Sequence, residues 1–525
     1  MARVLTRVVG SPEQVAPWLA PRDDLVGEQE AAGDALAGIS FSARHGPFRE
    51  YRRVVEVERR DNGLAAVTST TCFRLAIPYF SWLFVLPVRA VLARPDRGHR
   101  QPWWAPPERL DARAAHVLGV LGMASVIAGY LGTLLTQTVT FAAEELGVEG
   151  TRAQGYTLAA VRVGVLAAIA LVAAADRRGR RPVLVACALG GCVAAAAGAL
   201  APSLAWLGAS QLVSRAFASA LAVLITIVAV EEMPPGSRAY AVSVLGMAGG
   251  LGAGVCVLAL PLADLGPRGW RLLYLVPLAA LPLVRSVAGL LAESRRFVAP
   301  HDEVALAGHG QRLALLATSA FLLALFTAPA SQLQNEFLRD ERAFSASRIA
   351  LFTVLTVTPA SLGVVAGGRL ADVRGRRLVG AVGLAGGVGA SVAMFASSGW
   401  PLWAWSVLGS VVGGAVLPAL GVYGPELFPT SLRGRANGLV ALFGVAGSAL
   451  GLITAGALAE RFASLAPALA VLALGPAALV VLVLVAYPET ARRELEELNP
   501  EDRCRPVTGL EPTSPPPGPP PRRRP

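Results

Sequence analysis

The sequence predicts an all-α polytopic membrane protein with twelve transmembrane helices in two six-helix halves, preceded by a small α+β extension. Composition is the first reason: 54% of the 525 residues are hydrophobic and only 16% are charged, whereas about a quarter of the residues in a soluble domain are charged. The second reason is a series of charge-free runs longer than the ~18 residues that mark a membrane-spanning helix. The third is an internal repeat, in which charged phrases beside apolar runs return downstream at a nearly constant offset.

The repeat consists of three charged phrases, each present once in either half. The first-half copies and their counterparts are Asp176–Arg181 with Asp372–Arg377, Glu231 and Arg238 with Glu426 and Arg433, and Glu293 with Glu489. A constant offset between such phrases indicates that the two halves arose by duplication. Two related halves built from apolar helices are typical of secondary transporters.

Twelve apolar stretches divide six and six around a polar joint. We place the spans near residues 116–142, 154–175, 182–201, 203–230, 239–262, 270–291, 313–335, 347–370, 377–397, 400–424, 436–459 and 465–487. Small residues recur at every fourth position in the fifth span, at Gly246, Gly250 and Gly254, and in the eleventh span, at Gly447 and Gly451. Such spacing predicts that neighbouring helices approach closely at these residues.

The chain divides into five regions. They are a cytoplasmic N-terminal region (1–113), a first six-helix half (114–297), a central cytoplasmic loop (298–312), a second six-helix half (313–497) and a disordered, Pro-rich basic tail (498–525). In the first region, the β-rich stretches 48–58 and 64–73 flank Asp61-Asn62-Gly63, which is a strong hairpin signal. The apolar stretch 75–88 is too short to span a membrane. It fits an interfacial or re-entrant segment and equally one wall of a small α+β domain.

Charges on the short loops predict how the chain is oriented. The loops at 176–181 and 372–377 are rich in Arg, and positively charged loops stay in the cytoplasm. Both termini are therefore expected on the cytoplasmic side of the plasma membrane. We expect a bacterial inner membrane, because the composition resembles that of proteins from GC-rich bacterial genomes. The net charge of +11 does not indicate nucleic-acid binding, because most of the Arg residues border apolar helices.

Motifs at the ends of the spans carry a family resemblance. The loop after the second span reads Asp176-Arg-Arg-Gly-Arg-Arg, and its second copy reads Asp372-Val-Arg-Gly-Arg-Arg. Pro425-Glu-x-x-Pro-Thr-x-x-Arg-Gly434 follows the tenth span, and Pro488-Glu-Thr with a later Leu-Glu-Glu follows the twelfth. In this order the motifs resemble those of the major facilitator superfamily over roughly residues 114–497, most closely its sugar-porter and organic-ion-transporter branch. The resemblance implies a monomer that carries a small molecule by alternating access.

We predict that charged residues at the cytoplasmic ends of the spans form a gate. The pairs Glu231 with Arg238 and Glu426 with Arg433 lie on the same face, and with the Asp–Arg loops they would join the two halves when the inside is closed. The predicted gate residues are Asp176, Arg180, Arg181, Glu231, Arg238, Asp372, Arg376, Glu426, Arg433, Glu293 and Glu489. The alternative, that the Arg residues only fix the topology, does not account for the acidic members of this set.

Polar residues within the spans are the candidates for substrate binding. Arg215 lies near the middle of the fourth span and Arg162 near the middle of the second, whereas no Asp or Glu lies deep in a span. An intramembrane charge is a functional hypothesis by default, so the substrate is expected to be an anionic metabolite. The resemblance to the sugar-porter branch implies a sugar-like substrate as the other possibility. For Arg215 the alternative is a purely structural role, in which its side chain pairs with backbone or with the end of the fourth span that carries Glu231. Gln137, Gln332 and Asn335 complete the predicted site.

Other classes of function are less well supported by the residues. An enzyme would need clustered His, Cys or acidic residues, and the five Cys residues show no ligand-like spacing, so we expect no enzyme activity, cofactor or metal site. The alternatives kept open are a drug efflux antiporter and a transporter-like sensor with a signalling N-terminal region. The fifth span lacks the Gly-Pro pair typical of drug antiporters. The expected partners are a small-molecule substrate, a coupling proton or cation, and the lipid bilayer.

Overall fold

The computed structural model describes residues 1–31, 38–59, 64–96, 98, 101–147, 164–298, 306–344 and 346–502. A small sheet domain precedes a bundle of long apolar helices. The five strands are β1 (Ala2–Gly10), β2 (Gly27–Glu30), β3 (Ile39–His45), β4 (Phe48–Arg59) and β5 (Ala65–Leu75). They form one antiparallel sheet in the order β1-β5-β4-β3-β2. The predicted hairpin is confirmed, because β4 pairs with β5 from Arg59 opposite Ala65 onward; the turn residues 60–63 lie outside the described residues.

Helices account for most of the remaining chain. The N-terminal region contributes α1 (Pro12–Leu19) and α2 (Ser81–Leu92). The first half contains α3 (Ala112–Glu145), α4 (Gly164–Arg178), α5 (Arg180–Ala197), α6 (Leu204–Glu232), α7 (Arg238–Leu258), α8 (Trp270–Ala279), α9 (Leu281–Leu290) and α10 (Arg295–Val298). The second half contains α11 (Gly310–Gln332), α12 (Gln334–Glu336), α13 (Ala346–Val357), α14 (Ala360–Arg374), α15 (Arg376–Ala396), α16 (Trp400–Gly414), α17 (Val416–Gly421), α18 (Tyr423–Glu426), α19 (Arg433–Phe462), α20 (Leu465–Leu472), α21 (Leu474–Ala486) and α22 (Leu495–Leu498).

These helices form the predicted spans. Spans 1 to 5 are α3 to α7, and span 6 is α8 with α9. Spans 7 to 12 are α11, α13 with α14, α15, α16 to α18, α19, and α20 with α21. Among the described residues, 11 of the spans are long and apolar enough to cross a membrane. Span 2 is described only as α4, because 148–163 lie outside the described residues, and the count is consistent with the twelve helices expected.

The helix α2 packs as one wall of the sheet domain. Val88 and Leu92 are buried against the sheet residues Phe48 and Phe73. On the other face of α2, Trp82 is 70% exposed. Of the two roles predicted for the stretch 75–88, the wall of a small α+β domain is therefore present. The outer face of α2 is apolar.

Glycines bring pairs of spans close together, although not all of those predicted. A Cβ at Gly447 or Gly451 would collide with the backbone of span 7, which confirms the close approach at these residues. In span 5, the glycine that packs closely against span 1 is Gly252, whereas a Cβ at Gly250 or Gly254 would meet no atom. The prediction was wrong for these two residues, because a four-residue spacing identifies a helix face but not the neighbour that covers it.

Candidate functional site

A charge network joins the two halves at one end of the bundle, which we call the network end. Here α4, α6, α14 and α18 end, and α7 and α19 begin. A layer of apolar residues drawn from both halves lies beside the network. Its members include Val230 of α6, Val242 of α7, Ala371 of α14 and Val422 between α17 and α18. The charged residues are thus packed against apolar surface rather than water.

Glu231 forms the first centre of the network. Its carboxylate accepts a hydrogen bond of 2.9 Å from Arg433 of the second half and one of 3.4 Å from Arg180 of its own half. All three side chains are almost fully buried. The Arg180 guanidinium also donates to the Thr430 carbonyl of the second half, at 2.6 Å. Glu231 and Arg180 therefore both bind across the boundary between the halves.

Glu426 forms the second centre, and its partners repeat the first with the halves exchanged. Its carboxylate accepts a hydrogen bond of 3.3 Å from Arg238 of the first half, and another from Arg376 of its own half. These three side chains are fully buried. Removing one partner of a buried ion pair typically costs ~3–5 kcal/mol, because the other charge is left buried without compensation. Loss of either partner would therefore destabilise the arrangement in which the halves meet at this end.

Two aspartates at the ends of spans cap helices of the opposite half. Asp176, near the end of α4, accepts hydrogen bonds from the Gly434 and Arg435 amides at the start of α19, at 3.0 and 2.9 Å. Asp372 does the same for Ala239 and Tyr240 at the start of α7, at 3.2 and 2.9 Å. The start of a helix has unpaired N–H groups and a partial positive charge, so a carboxylate there is stabilising.

The structure pairs the Glu and Arg residues of the repeated phrases across the halves. The spacing along the chain suggested that Glu231 and Arg238 act together, and likewise Glu426 and Arg433. In the structure each Glu instead binds the Arg of the other half. Exchange of partners follows from the approximate twofold relation between the halves, which brings equivalent helix ends face to face.

The remaining predicted gate residues act within one half. Glu293 accepts hydrogen bonds from the Arg180 and Arg181 amides at the start of α5, and Glu489 does the same at the start of α15. The glycines that precede these helices, Gly179 and Gly375, have φ values of 105° and 103°, a conformation that disfavours residues with a Cβ. Arg181 also donates to the Ala288 carbonyl of its own half. These contacts do not cross between the halves.

The segment after span 12 contributes contacts that the sequence did not predict. Asp502 accepts hydrogen bonds from the Thr430 amide at 2.9 Å and from Arg433 at 3.0 Å. Arg296, which follows span 6, pairs with Glu496 at 3.0 Å and so links the halves once more. Asn499 donates to the Glu426 carbonyl at 2.7 Å. No spacing rule predicts these contacts, because they depend on the path that the chain takes across the network end after span 12.

The predicted substrate residues lie in different parts of the bundle. Arg215 of span 4 is half-buried and donates a hydrogen bond of 2.6 Å to the Gly132 carbonyl of span 1. Gln137 of span 1 is half-buried, and Gln332 and Asn335 are exposed at the end of span 7. Arg162 lies outside the described residues. In the part of the chain that the structure describes, no group of three His, Cys, Asp or Glu residues could hold a metal ion.

Comparisons with known proteins agree with this architecture. The sequence profile described as the Major Facilitator Superfamily matches residues 313–517. No curated protein sequence matches the chain. Among solved structures, the chain is similar to the proton:xylose symporter XylE, with 15% identity, a TM-score of 0.62 and coverage of 74% of this chain and 98% of that chain.

Two further structures share the fold. The human organic anion transporter TETRAN is 17% identical with a TM-score of 0.57, over 70% of this chain and 99% of that chain. A bacterial homologue of the iron transporter ferroportin, in an outward-facing state, is 19% identical with a TM-score of 0.55, over 70% and 98%. The profile match over residues 313–517 and the shared fold make this chain similar to members of the major facilitator superfamily.

Proposed function

We propose that the chain is a secondary transporter that carries a small organic solute across the bacterial inner membrane by alternating access. The observation that supports this is the crossed charge network. Glu231 binds Arg433 and Arg238 binds Glu426, so each buried pair has one member in each half. Such pairs must break when the halves separate at this end and form again when they meet. Alternating access requires contacts between the halves that can form and break in this way.

The network end is the cytoplasmic end in this proposal. The Arg-rich loops that contain Arg178 and Arg374 lie at that end, and positively charged loops stay in the cytoplasm. The segment between the sheet domain and α3 also reaches it, because the Gly236 amide donates to Glu108 at 2.7 Å. Residue Asp502 lies there too, which puts both ends of the described chain on one side. The conformation described is then the one that is closed to the cytoplasm.

The proposed substrate is anionic, with a sugar-like solute as the runner-up. Arg215 carries a positive charge near the middle of span 4 and reaches span 1, and an intramembrane charge is a functional hypothesis by default. An organic anion transporter is among the structurally similar proteins. The runner-up draws on the similarity to a xylose symporter and on the polar residues Gln332 and Asn335 at the end of span 7.

Uptake by proteoliposomes tests the proposal. Purified full-length chain would be reconstituted and offered radiolabelled organic acids and sugars, with and without an imposed proton gradient. We expect accumulation of at least one organic acid and at least a tenfold loss of it in Arg215→Ala. Arg285→Ala is the matched control, because Arg285 is exposed on span 6 and its change should leave uptake nearly unchanged.

The same assay separates transport from the alternatives. A transporter-like sensor would bind the solute without accumulating it, and a drug efflux antiporter would exchange protons for hydrophobic cations instead of organic acids. Equal uptake by Arg215→Ala and the unmodified chain would remove Arg215 from the substrate site. Accumulation that depends on the proton gradient would identify the coupling ion.

A further inference from the structure

An apolar cavity of about 850 Å³ lies between the sheet domain and the spans at the boundary of the two halves. Its walls come from α2 and the segment after it, from spans 1 and 5 of the first half, and from spans 8 and 10 of the second half. The lining residues include Phe84, Trp104, Leu118, Val244, Val364 and Leu417. This volume is within the ~300–1,000 Å³ of small-molecule sites, and the cavity is distinct from the polar residues assigned above to the solute.

The mouth of the cavity is mostly apolar and lies at the depth of the spans. Its partly exposed large apolar residues are Leu83 (48%), Met247 (41%), Leu251 (56%), Val357 (52%) and Leu417 (50%), and Thr358 and Ser361 of span 8 are exposed beside them. Four of the five apolar residues belong to spans 5, 8 and 10, and exposed apolar residues on membrane spans favour contact with hydrocarbon. The mouth therefore suits an acyl chain better than a water-soluble ligand.

The lining of the cavity extends along span 5. The lining residues of α7 run from Tyr240, near the network, to Leu251, which is roughly 16 Å of helix at 1.5 Å per residue. This is about half of the ~30 Å hydrocarbon core. Beside Tyr240, whose hydroxyl donates to the Trp104 carbonyl, the apolar lining gives way to polar groups.

One polar group at the cavity has an unused acceptor. Gln101 lines the cavity, and its amide nitrogen donates to the Asp24 carbonyl. Its Oε1 atom is buried and has no hydrogen-bond partner among the described residues. A buried acceptor without a partner is costly. A ligand with a hydrogen-bond donor at its polar end near Gln101, such as the ammonium group of an ethanolamine headgroup, and an apolar end near Leu251 would satisfy it.

We propose that this cavity binds one acyl chain of a membrane phospholipid, with its polar end towards Gln101 and its chain along span 5. The apolar mouth, the depth of the cavity and the placement of Gln101 each favour a phospholipid over a water-soluble ligand. The bound chain fills the space between the sheet domain and the seam where span 5 of the first half meets span 8 of the second. The proposal concerns binding and does not depend on which solute is transported.

Photocrosslinking tests the site and the orientation of the chain within it. The full-length protein would be placed in liposomes that contain a trace of phosphatidylethanolamine, whose ammonium group can donate to Gln101, with a diazirine either near the headgroup or at the end of one acyl chain. Labelled positions would be mapped by mass spectrometry. We expect the chain-end probe to label Met247 and Leu251, and the headgroup-proximal probe to label Gln101 and Trp104.

Two glycine substitutions provide a matched pair. A Cβ at Gly250 or at Gly254 meets no atom within 4 Å, and both residues lie on α7, but only Gly250 lines the cavity. We expect Gly250→Phe to fill the cavity and reduce labelling of Leu251 at least fivefold, and Gly254→Phe to leave it unchanged. Equal loss in both variants, no loss in Gly250→Phe, or labels spread over the spans in proportion to exposure would overturn the proposal. Because labelling needs no transported solute, failure here is distinguishable from failure of the transport assay.

Discussion

The two ends of the helical bundle are held together by different kinds of contact. At the network end, Glu231 and Glu426 pair with arginines of the opposite half. At the other end, Glu145 accepts hydrogen bonds from side chains at the start of α8, in its own half. Glu341 accepts a bond of 2.7 Å from the backbone at the start of α20, also in its own half. Carboxylates bind helix starts at both ends, but among those described here only Asp176 and Asp372, at the network end, do so across the halves.

The difference shows which contacts can report on the relative position of the halves. A contact within one half is unaffected by a rigid-body movement of that half, whereas a contact between the halves must break. The pairs at the network end therefore favour the closed arrangement of that end. Carboxylates at the other end stabilise each half whatever its position. Removing a carboxylate from the two ends should consequently produce different outcomes.

The largest effect is expected for Glu231→Gln. This change leaves Arg180 and Arg433 buried without their shared counter-charge, and the expected cost is ~3–5 kcal/mol. A shift of this size moves most of a two-state population, because ~5.5 kcal/mol converts a ratio of 1:99 into 99:1. The measurement is the distance between spin labels at Arg178 and Arg374, which are exposed in the two halves. We expect that distance to increase.

Glu145→Gln is the matched control for this prediction. Glu145 is paired with Arg271 at the other end of the same half, so its loss should lower the melting temperature without changing the distance between the labels. If both variants changed the distance equally, the contrast between the two ends would be wrong.

An intermediate effect is expected for Asp176→Asn. Asp176 caps α19 of the opposite half and also pairs with Arg180 at 2.6 Å. Asparagine keeps one of the two amide contacts at the start of α19 but removes the charge that pairs with Arg180. Hydrogen bonds to charged groups are worth ~1.5–3 kcal/mol, and we expect a cost of about 2 kcal/mol. The label distance should increase in a fraction of the molecules.

Glu293→Gln sharpens the same comparison within the network end. Glu293 caps α5 of its own half, so its change should reduce thermal stability and leave the label distance unchanged. An opened network end in Glu293→Gln, with Asp176→Asn unaffected, would contradict the distinction between capping across the halves and capping within one.

A smaller effect is expected for Asp502→Asn. The carboxylate holds Arg433 from its own half, at 3.0 Å, and so orients the side chain that crosses to Glu231. Hydrogen bonds to charged groups are worth ~1.5–3 kcal/mol, and we expect about 1.5 kcal/mol because the asparagine keeps its bond to the Thr430 amide. The label distance should shift in the same direction as in Glu231→Gln. Glu501→Gln, at the adjacent and partly exposed residue, should have no such effect.

The sequence predicted the architecture because hydropathy and repetition are local properties of the chain. Charge-free runs identified the spans, and the repeated phrases around Asp176 and Asp372 located the ends that meet. The choice of partners was not predictable, because spacing along the chain relates Glu231 to Arg238, its neighbour in sequence. Only the packing of two related halves brings Glu231 to Arg433 instead.

Contacts made by returning segments were missed for a related reason. Asp502 lies in a stretch that the sequence assigned to a disordered tail, yet it binds Thr430 and Arg433. Its position is fixed by tertiary contacts rather than by a local pattern. The prediction of close approach at Gly250 was wrong for the same reason. Gly250 and Gly252 lie on different faces of α7, and only the neighbouring helices decide which face is covered.

The smallest effect is expected from titration of Glu496, the acidic partner of Arg296. Burial by itself raises the pKa of Glu496, but the hydrogen bond and charge of Arg296, with the charge of Arg238 nearby, outweigh it and hold the pKa below its ordinary value. A carboxylate with a lowered pKa in the paired state contributes stability above its ordinary pKa of ~4.3 and loses it as the pH falls through the lowered value. The pair is 37% exposed on the Glu496 side, so the contribution is ~0–1 kcal/mol. In the unmodified chain, lowering the pH from 7 to ~3.5 should weaken this pair and slightly increase the distance between the labels at Arg178 and Arg374. In Glu496→Gln the pair is already lost, so the distance should change slightly less over the same pH range. An identical pH profile in the two proteins would mean that this exposed link, unlike the buried pairs beside it, contributes nothing to holding the halves together.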